Sequence, residues 1–581
     1  MMSSQLDKFA IAAMLQEIGA LMELKGGQYF KSRAYKRGAR AVAEIDADLG
    51  ELIKSGRLTT VPGIGAALAA QISEMYKSGK SSLLERLRSE LPRGIVELSN
   101  VPGLNLKKIQ KLQEALGIGS LDELRAAARA GLVRNVPGFG IKTEQKLLET
   151  VSTKKEPVDE VHIHHALRLG ERIIEYLRLT PGLLEIDLAG ELRRWRETVP
   201  EIVVVAAANR PVALIDQFAR FPLVISVKER TTSSCRAVLT EGVSVSLLAV
   251  TRDRYPLTLW RATGSSAHIQ KLEDIASGKR LRFTDRSLEK SGSAKSKSRS
   301  FRLPNEESIY RELGMQFVPP ELREDVGEIE TAAQDRLPKG LVELADIQGM
   351  VHCHTTYSDG KHSIEQMAKG AEALGMKYLT ISDHSPTASY AGGVKLDRLK
   401  RQWDEISEVQ EKVNVRLLRA TESDILADGS LDYPDRILEK FDVIIASIHA
   451  RYKMDEDQMT RRVTNAMQQP WFKIWGHALG RLIQRRPPFA CRVEEILDVI
   501  AESRAAIEVN GDPYRLDMEP RWLREARKRK IKFVISTDAH SVSAMNNLKY
   551  GVGIARRGWV QRKEVLNTLS VKQFQKTVKP G

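Results

Sequence analysis

The chain has 581 residues, a formal charge of +15 and three cysteines. A single hydrophobic core stops growing at about 250 to 300 residues, so this length calls for several domains. Three scattered cysteines exclude a disulfide framework, and no apolar run is long enough to span a bilayer; a cytoplasmic protein with no membrane partner is therefore expected, its positive charge seeking a polyanion such as nucleic acid.

The first 155 residues are helical in pattern and divide at about residue 80 into two stretches. They contain a repeat: Val61-Pro-Gly-Ile-Gly65, Val101-Pro-Gly-Leu-Asn105 and Val136-Pro-Gly-Phe-Gly140, each followed by an amphipathic helical segment. This is the helix-hairpin-helix pattern. Its glycines permit a tight turn whose amides, with the next helix N-terminus, receive a DNA phosphate without reading sequence. Gly63, Gly65, Gly103, Gly138 and Gly140 are the candidate DNA-binding positions.

A new unit begins after the Lys154-Lys-Glu-Pro157 stretch, with helices leading into β-rich segments over 156–255 and a smaller region over 256–325. It carries Ala189-Gly-Glu-Leu-Arg-Arg-Trp-Arg-Glu197, then Glu201-Ile-Val-Val-Val205, Gly242-Val-Ser-Val-Ser-Leu247 and Thr263-Gly-Ser-Ser-Ala-His268. The run Ser291-Gly-Ser-Ala-Lys-Ser-Lys-Ser-Arg-Ser300 reads as a solvated basic loop. The cluster His162-Ile-His-His165 opens an amphipathic helix with no carboxylate or cysteine at metal spacing and is read as structural.

After a linker at 326–344, residues 345–581 alternate strands with helices, as parallel β/α units do. Nine metal-ligand residues stand here, nearly all where an apolar run turns polar: His352, His354, Asp359, His384, Glu422, His449, His477, Asp538 and His540. His352 and His354 share a strand face, whereas Cys353 points the other way as a small buried residue. Six of the eleven histidines lie at strand ends in this one region, which reads as a polynuclear metal site. Arg451, Arg481 and Arg515 are candidates for gripping a phosphate near it.

Together these motifs resemble a bacterial family X DNA polymerase carrying a C-terminal polymerase-and-histidinol-phosphatase (PHP) domain. The resemblance implies a multidomain fold: a helix-hairpin-helix N-terminal region, an α+β nucleotidyltransferase-like core with palm-like (156–255) and thumb-like (256–325) parts, and a distorted (β/α)7 PHP barrel (345–581). It implies three divalent ions, manganese or zinc. One would be held by His352, His354, Glu422 and Asp538, a second by Glu422, His449 and His477, and a third by Asp359, His384 and His540.

It also exposes departures. Where the family places three metal-binding aspartates, this chain has Glu201, Val203 and Ser246; its phosphate-gripping Gly-Ser is Gly190-Glu191 and its aromatic pair is Arg261-Ala262. Alternate strand positions share a face, so such a triad holds two magnesium ions, whereas a lone carboxylate does not. Ala67 and Gln71 stand at the Schiff-base lysine positions of related lyases, so no lyase is expected. Arg193, Arg194 and Arg196 remain as contacts for a DNA backbone.

The reading is a nucleoid-associated, monomeric DNA-repair phosphoesterase. The resemblance implies a 3′→5′ exonuclease, with 3′-phosphatase or abasic-site cleavage as variants, acting on gapped, nicked or 3′-ended DNA beside a separate polymerase or ligase. Two other readings stay open: an active gap-filling polymerase that recruits Asp187, Glu197 or Glu201, and a non-catalytic DNA-binding scaffold.

Overall fold

The computed structural model describes residues 8–25, 29–43, 49–61, 63–90, 98, 104, 106–152, 160–239, 242–290 and 300–581. Two compact units result, Met1–Val158 and Asp159–Gly581.

The first unit is helical. Around Ile11, Leu15, Ile18, Leu68, Ile72 and Met75 the helices Lys8–Lys25 and Ala66–Ser78 share one core, and Ile109, Leu112, Leu124, Phe139 and Leu147 form a second. Two of the three hairpins have the same geometry. Gly63 and Gly138 adopt φ of +94° and +95°, a region L-residues avoid, and the amides of Ile64 and Phe139 close the turn on Val61 and Val136 at 3.0 and 2.9 Å. Ile64 and Phe139 plug the core, leaving the flanking glycines Gly63, Gly65, Gly138 and Gly140 exposed. The helix Ala66–Ser78 starts at Gly65 with no side-chain cap, so its first amides await water or an anion. Gly103, in the remaining hairpin, lies outside the described residues, as do Lys154–Pro157 and 291–299.

The second unit opens with a five-stranded sheet of β1 (Leu183–Ala189), β2 (Glu201–Ala208), β3 (Val224–Arg230), β4 (Ser234–Leu239) and β5 (Ser244–Val250), in the order β1-β2-β5-β4-β3. Only β2 and β5 are parallel. Alternation along β2 decides the packing: Val204 and Ala206 meet the helices Ile163–Leu177 and Pro211–Ala219, while Val205 and Ala207 meet Tyr255 and Leu259 on the opposite face.

Arg193 and Arg194, expected at DNA phosphates, are instead consumed inside this unit. Arg193 makes a bidentate pair with Glu306 at 2.9 and 2.7 Å, and Arg323, fully buried, pairs with the same carboxylate. Arg194 donates to the Thr263 carbonyl at 2.7 Å and to Glu324 at 3.0 Å. These ties fasten the palm-like sheet to the thumb-like helices. A desolvated guanidinium needs such partners, and it is not free for a phosphate. His162 and His164 pack their rings on Tyr514, 5.2 and 5.1 Å away, as the structural reading expected.

The barrel follows: β6 (Gly349–Met350), β7 (Tyr378–Ile381), β8 (Arg416–Asp424), β9 (Val443–Ser447), β10 (Lys473–Trp475), β11 (Ala505–Asn510) and β12 (Lys532–Ser536), all parallel and paired in sequence order. Strands such as β9 are buried on both faces, which is why they read as continuous apolar runs. The ends meet at a bridge between Cys353 and Ala539, so the barrel closes beside its ligands. No helix among the described residues is long and apolar enough to cross a membrane.

Removing the Glu306 carboxylate leaves two guanidinium groups buried without it. Glu306→Ala should cost about 3–5 kcal/mol in urea unfolding; a loss below about 1 kcal/mol, the range of an exposed pair, would show that the network bears no load.

Candidate metal centre

Eight of the nine ligand residues stand at or just beyond the C-terminal end of a barrel strand: His352 and His354 after β6, His384 after β7, Glu422 in β8, His449 after β9, His477 after β10, and Asp538 and His540 after β12; Asp359 lies further along the loop that follows β6. Three of them, His352, His477 and Asp538, have positive φ (67°, 25° and 50°). The chain turns sharply where the strand ends, and local strain of this kind is held only where the surroundings over-determine it.

Eight of the nine expected residues fall into three groups whose ligand atoms lie within 4.8 Å of one another: His352, His354, Glu422 and Asp538; His354, Asp359, His384 and His540; and His384, Glu422 and His449. The ninth, His477, joins through Nε2, 2.8 Å from Glu422 Oε1. The first group has the expected membership. The other two differ from expectation in sharing: His354 belongs to two groups, and His384 stands beside Glu422 at 2.9 Å as well as Asp359 at 3.5 Å. Those links cross between strands, which spacing along a strand does not reveal.

The distances are those of ligand shells. His352 Nε2 lies 3.3 Å from Glu422 and 3.4 Å from Asp538, and His540 Nε2 lies 3.3 Å from Asp359. Ligands at about 2.0–2.2 Å from one tetrahedral ion stand roughly 3.3–3.6 Å apart. His449 Nε2 and His477 Nε2 face each other at 3.2 Å, two ring nitrogens that need a cation or a proton between them. His352 Nε2, His354 Nδ1, His384 Nδ1 and Glu422 Oε2 are buried and make no well-aligned hydrogen bond, though His384 Nδ1 and Glu422 Oε2 lie 2.9 Å apart. Orphaned donor atoms converging on one spot fit divalent ions.

The electrostatics agree. Burial alone would lower the His352 pKa, but Glu508, Asp538 and Glu422 outweigh it and raise it well above the usual imidazole value. His449 is likewise pushed up to about 10, its burial overcome chiefly by Glu422 and Asp424. The mouth therefore draws positive charge onto His352 and His449, while burial, with neighbouring imidazoles at His354 and Arg515 at His477, lowers those two and leaves them as neutral ligands.

Two carboxylates that sequence reasoning missed orient the ring. Glu508 Oε1 accepts from His352 Nδ1 at 2.5 Å and from Ser536 at 2.6 Å, while its other oxygen accepts from the His477 amide. Asp424 lies 2.5 Å from His449 Nδ1. Such partners fix the tautomer and turn the other nitrogen to the metal. Alternation offered a signal for Asp424, two residues after Glu422 on the same face of β8; Glu508 carried none beyond a carboxylate inside an apolar strand. Asp383, next to His384, faces away and accepts from Thr355, Ser358 and Gln402.

The three arginines separate. Arg515 Nε stands 3.3 Å from Asp538 at the mouth. Arg451 is exposed, two residues past His449. Arg481 is buried and points elsewhere, pairing with Glu197 at 2.9 Å and Glu519 at 3.4 Å and donating to the Arg515 carbonyl at 2.9 Å. It braces the rim and is not available for phosphate.

In the palm-like sheet the three positions expected to have lost their aspartates come together. Val203 pairs with Ser246 across β2 and β5, and Ser246 Oγ donates to Glu201 at 2.8 Å. Arg236, a half-exposed guanidinium, pairs with the same carboxylate at 2.9 Å. Asp187 accepts from Tyr255 at 2.6 Å, and Glu197 is committed to Arg481.

Four stretches of the chain match known domain families. Residues 7–81 match a helix-hairpin-helix domain, 95–152 a SAM-like helix-hairpin-helix tandem, 258–324 the DNA polymerase beta thumb and 351–512 the PHP domain. A DNA polymerase/3′-5′ exonuclease PolX of Bacillus subtilis (strain 168) is 34% identical over 572 residues, covering 98% of this chain and 99% of the relative. Probable phosphatases of Thermoanaerobacter sp. (strain X514) and Caldanaerobacter subterraneus are 26% and 27% identical, covering 37% and 38% of this chain and 89% of each relative.

Glu508→Gln keeps the size of the side chain but removes its charge from His352. Metal affinity, read by titrating the metal-free protein with manganese or zinc, should fall about 10- to 100-fold, and unchanged affinity would show that Glu508 does not support the ligand ring.

Proposed function

Because the chain belongs to the PolX family, family X DNA polymerases joined to a C-terminal PHP domain, we propose that it is a DNA-bound, metal-dependent phosphoesterase working at the barrel mouth, with a silent nucleotidyl-transfer site. One contrast carries this reading: the barrel gathers nine ligand residues around orphaned buried nitrogens, whereas the only acid at the three palm positions is tied to a guanidinium.

Three manganese or zinc ions fit the mixed imidazole and carboxylate groups, with Glu422, His354 and His384 each common to two of them. Bound there, such ions supply Lewis acidity and generate a nucleophile from water at neutral pH. The residues around them do the positioning. Glu508 and Asp424 hold the imidazoles, Arg515 supplies a guanidinium beside Asp538 for a phosphate oxygen, and Arg481 fixes the backbone that carries Arg515. The exposed hairpin glycines supply sequence-independent grip on a duplex.

The activity so assigned is 3′→5′ removal of nucleotides from gapped, nicked or 3′-ended DNA, with 3′-phosphate or abasic ends as further substrates. The Bacillus subtilis relative bears the exonuclease in its name. It bears polymerase too, but Val203 and Ser246 offer no charge for a divalent ion here. We assign the chain as a monomer, and resynthesis and sealing to a separate polymerase and ligase.

His352→Ala or Asp538→Ala should abolish shortening of a 3′ end while leaving duplex affinity nearly unchanged. A chelator should stop the wild-type protein and manganese should restore it. Shortening that persists in both variants would remove the barrel from the reaction.

A further inference from the structure

We propose that Tyr390 is a stacking platform for the base of the nucleotide whose phosphodiester enters the barrel mouth; the inference rests on the nuclease reading of that mouth and names how the site recognises DNA. Tyr390 is 67% exposed, and among the described large hydrophobic residues only Leu179, at 77%, is more so. Its ring centre lies 6.0 Å from that of His384 and 6.2 Å from that of His449, two of the ligand imidazoles. An aromatic ring is thus exposed at the edge of the metal groups, its plane tilted 61° and 57° from those of the two imidazoles.

The segment that presents it is held from several sides. The Val394 amide donates to the His384 carbonyl at 2.8 Å, closing the segment at its base, and the Gly393 amide donates to Ala388 at 3.1 Å. The Thr387 amide donates to Asp432 at 2.6 Å, and Arg398 donates to the Gly392 carbonyl at 3.1 Å. A side chain at Gly393 would stand 2.1 Å from the Ser385 carbonyl oxygen, so the segment is packed against its own backbone. Leaving an aromatic ring in water forgoes its burial, and fixing the segment that carries it adds an ordering cost. A fold that does both next to a catalytic mouth has pre-organised a ring for a ligand.

The occupant follows from nucleotide geometry. Phosphate and base lie on opposite sides of one sugar, so with the phosphate at the ligand groups and Arg515, the base falls beside them. A neutral aromatic face suits it because every base has a π-face, which predicts stacking with little sequence preference. The mouth's carboxylates, Asp359, Glu422 and Asp538, would repel an acidic side chain in that place but not an uncharged base.

The test uses the full-length protein with manganese and two 5′-labelled primers, one ending in an ordinary nucleotide and one ending in a tetrahydrofuran residue that lacks only the base. Tyr390→Ala should raise KM for the ordinary primer roughly 5- to 150-fold, the span of a base–aromatic stack, with kcat little changed. It should leave cleavage of the baseless primer as in the wild type, and Tyr390→Phe should retain wild-type KM on both. Equal losses on the two primers, or no change in KM on the ordinary one, would overturn the inference while leaving the nuclease reading intact. Failure of the wild-type protein to shorten either primer would overturn both.

Discussion

Glu422 is the group on which the rest of the barrel depends. It is fully buried and lies within 3.5 Å of ring nitrogens from His352, His354, His384, His449 and His477. Burying one ion costs several kcal/mol after relaxation, and this mouth buries several carboxylates together. Burial pushes the Glu422 carboxyl upward, yet His449, His352 and His384 hold it well below the usual range. The arrangement is stable only with positive charge in its midst, from protons when no metal is bound and from divalent ions when one is. The turned backbone at His352, His477 and Asp538, the closure of the ring at Cys353 and Ala539 and the bracing by Glu508 all serve to keep those groups converged.

The palm-like sheet solves a similar problem differently. A carboxylate at Glu201 also needs a counter-charge, and the protein provides Arg236, a permanent cation in a covalent chain. A guanidinium satisfies the charge but has no open coordination position, which supports the proposed silence of this site. Arg193 and Arg194, bound to Glu306 and Glu324, tie this sheet to the thumb-like helices, and Arg481 ties the barrel rim to Glu197. These arginines serve as internal fastenings.

Much of this was legible in the sequence. Apolar runs that end abruptly in histidine or aspartate announced buried parallel strands with ligands at one mouth, because a strand covered on both faces shows no polar alternation until it leaves the core. Strand spacing put His352 and His354 on one face, and the family resemblance added Glu422 and Asp538 to them. The cross-strand sharing of His354 and His384 was not, since it depends on the register of non-adjacent segments. The arginines show the same boundary. Residue type cannot distinguish a guanidinium that meets phosphate from one buried against glutamate, and the partners of Arg193 and Arg481 lie 113 and 284 residues away. Tyr390, in a polar connecting segment, gave no signal until its neighbours were known.

The most direct test of the central claim, that the barrel works and the palm does not, follows a 5′-labelled primer in gapped DNA with manganese, resolved base by base, with and without all four nucleotides. The account predicts shortening in both reactions and no product longer than the primer. Lengthening that depends on added nucleotides would contradict it, because Glu201, Val203 and Ser246 would then have to support a chemistry for which they lack the charge.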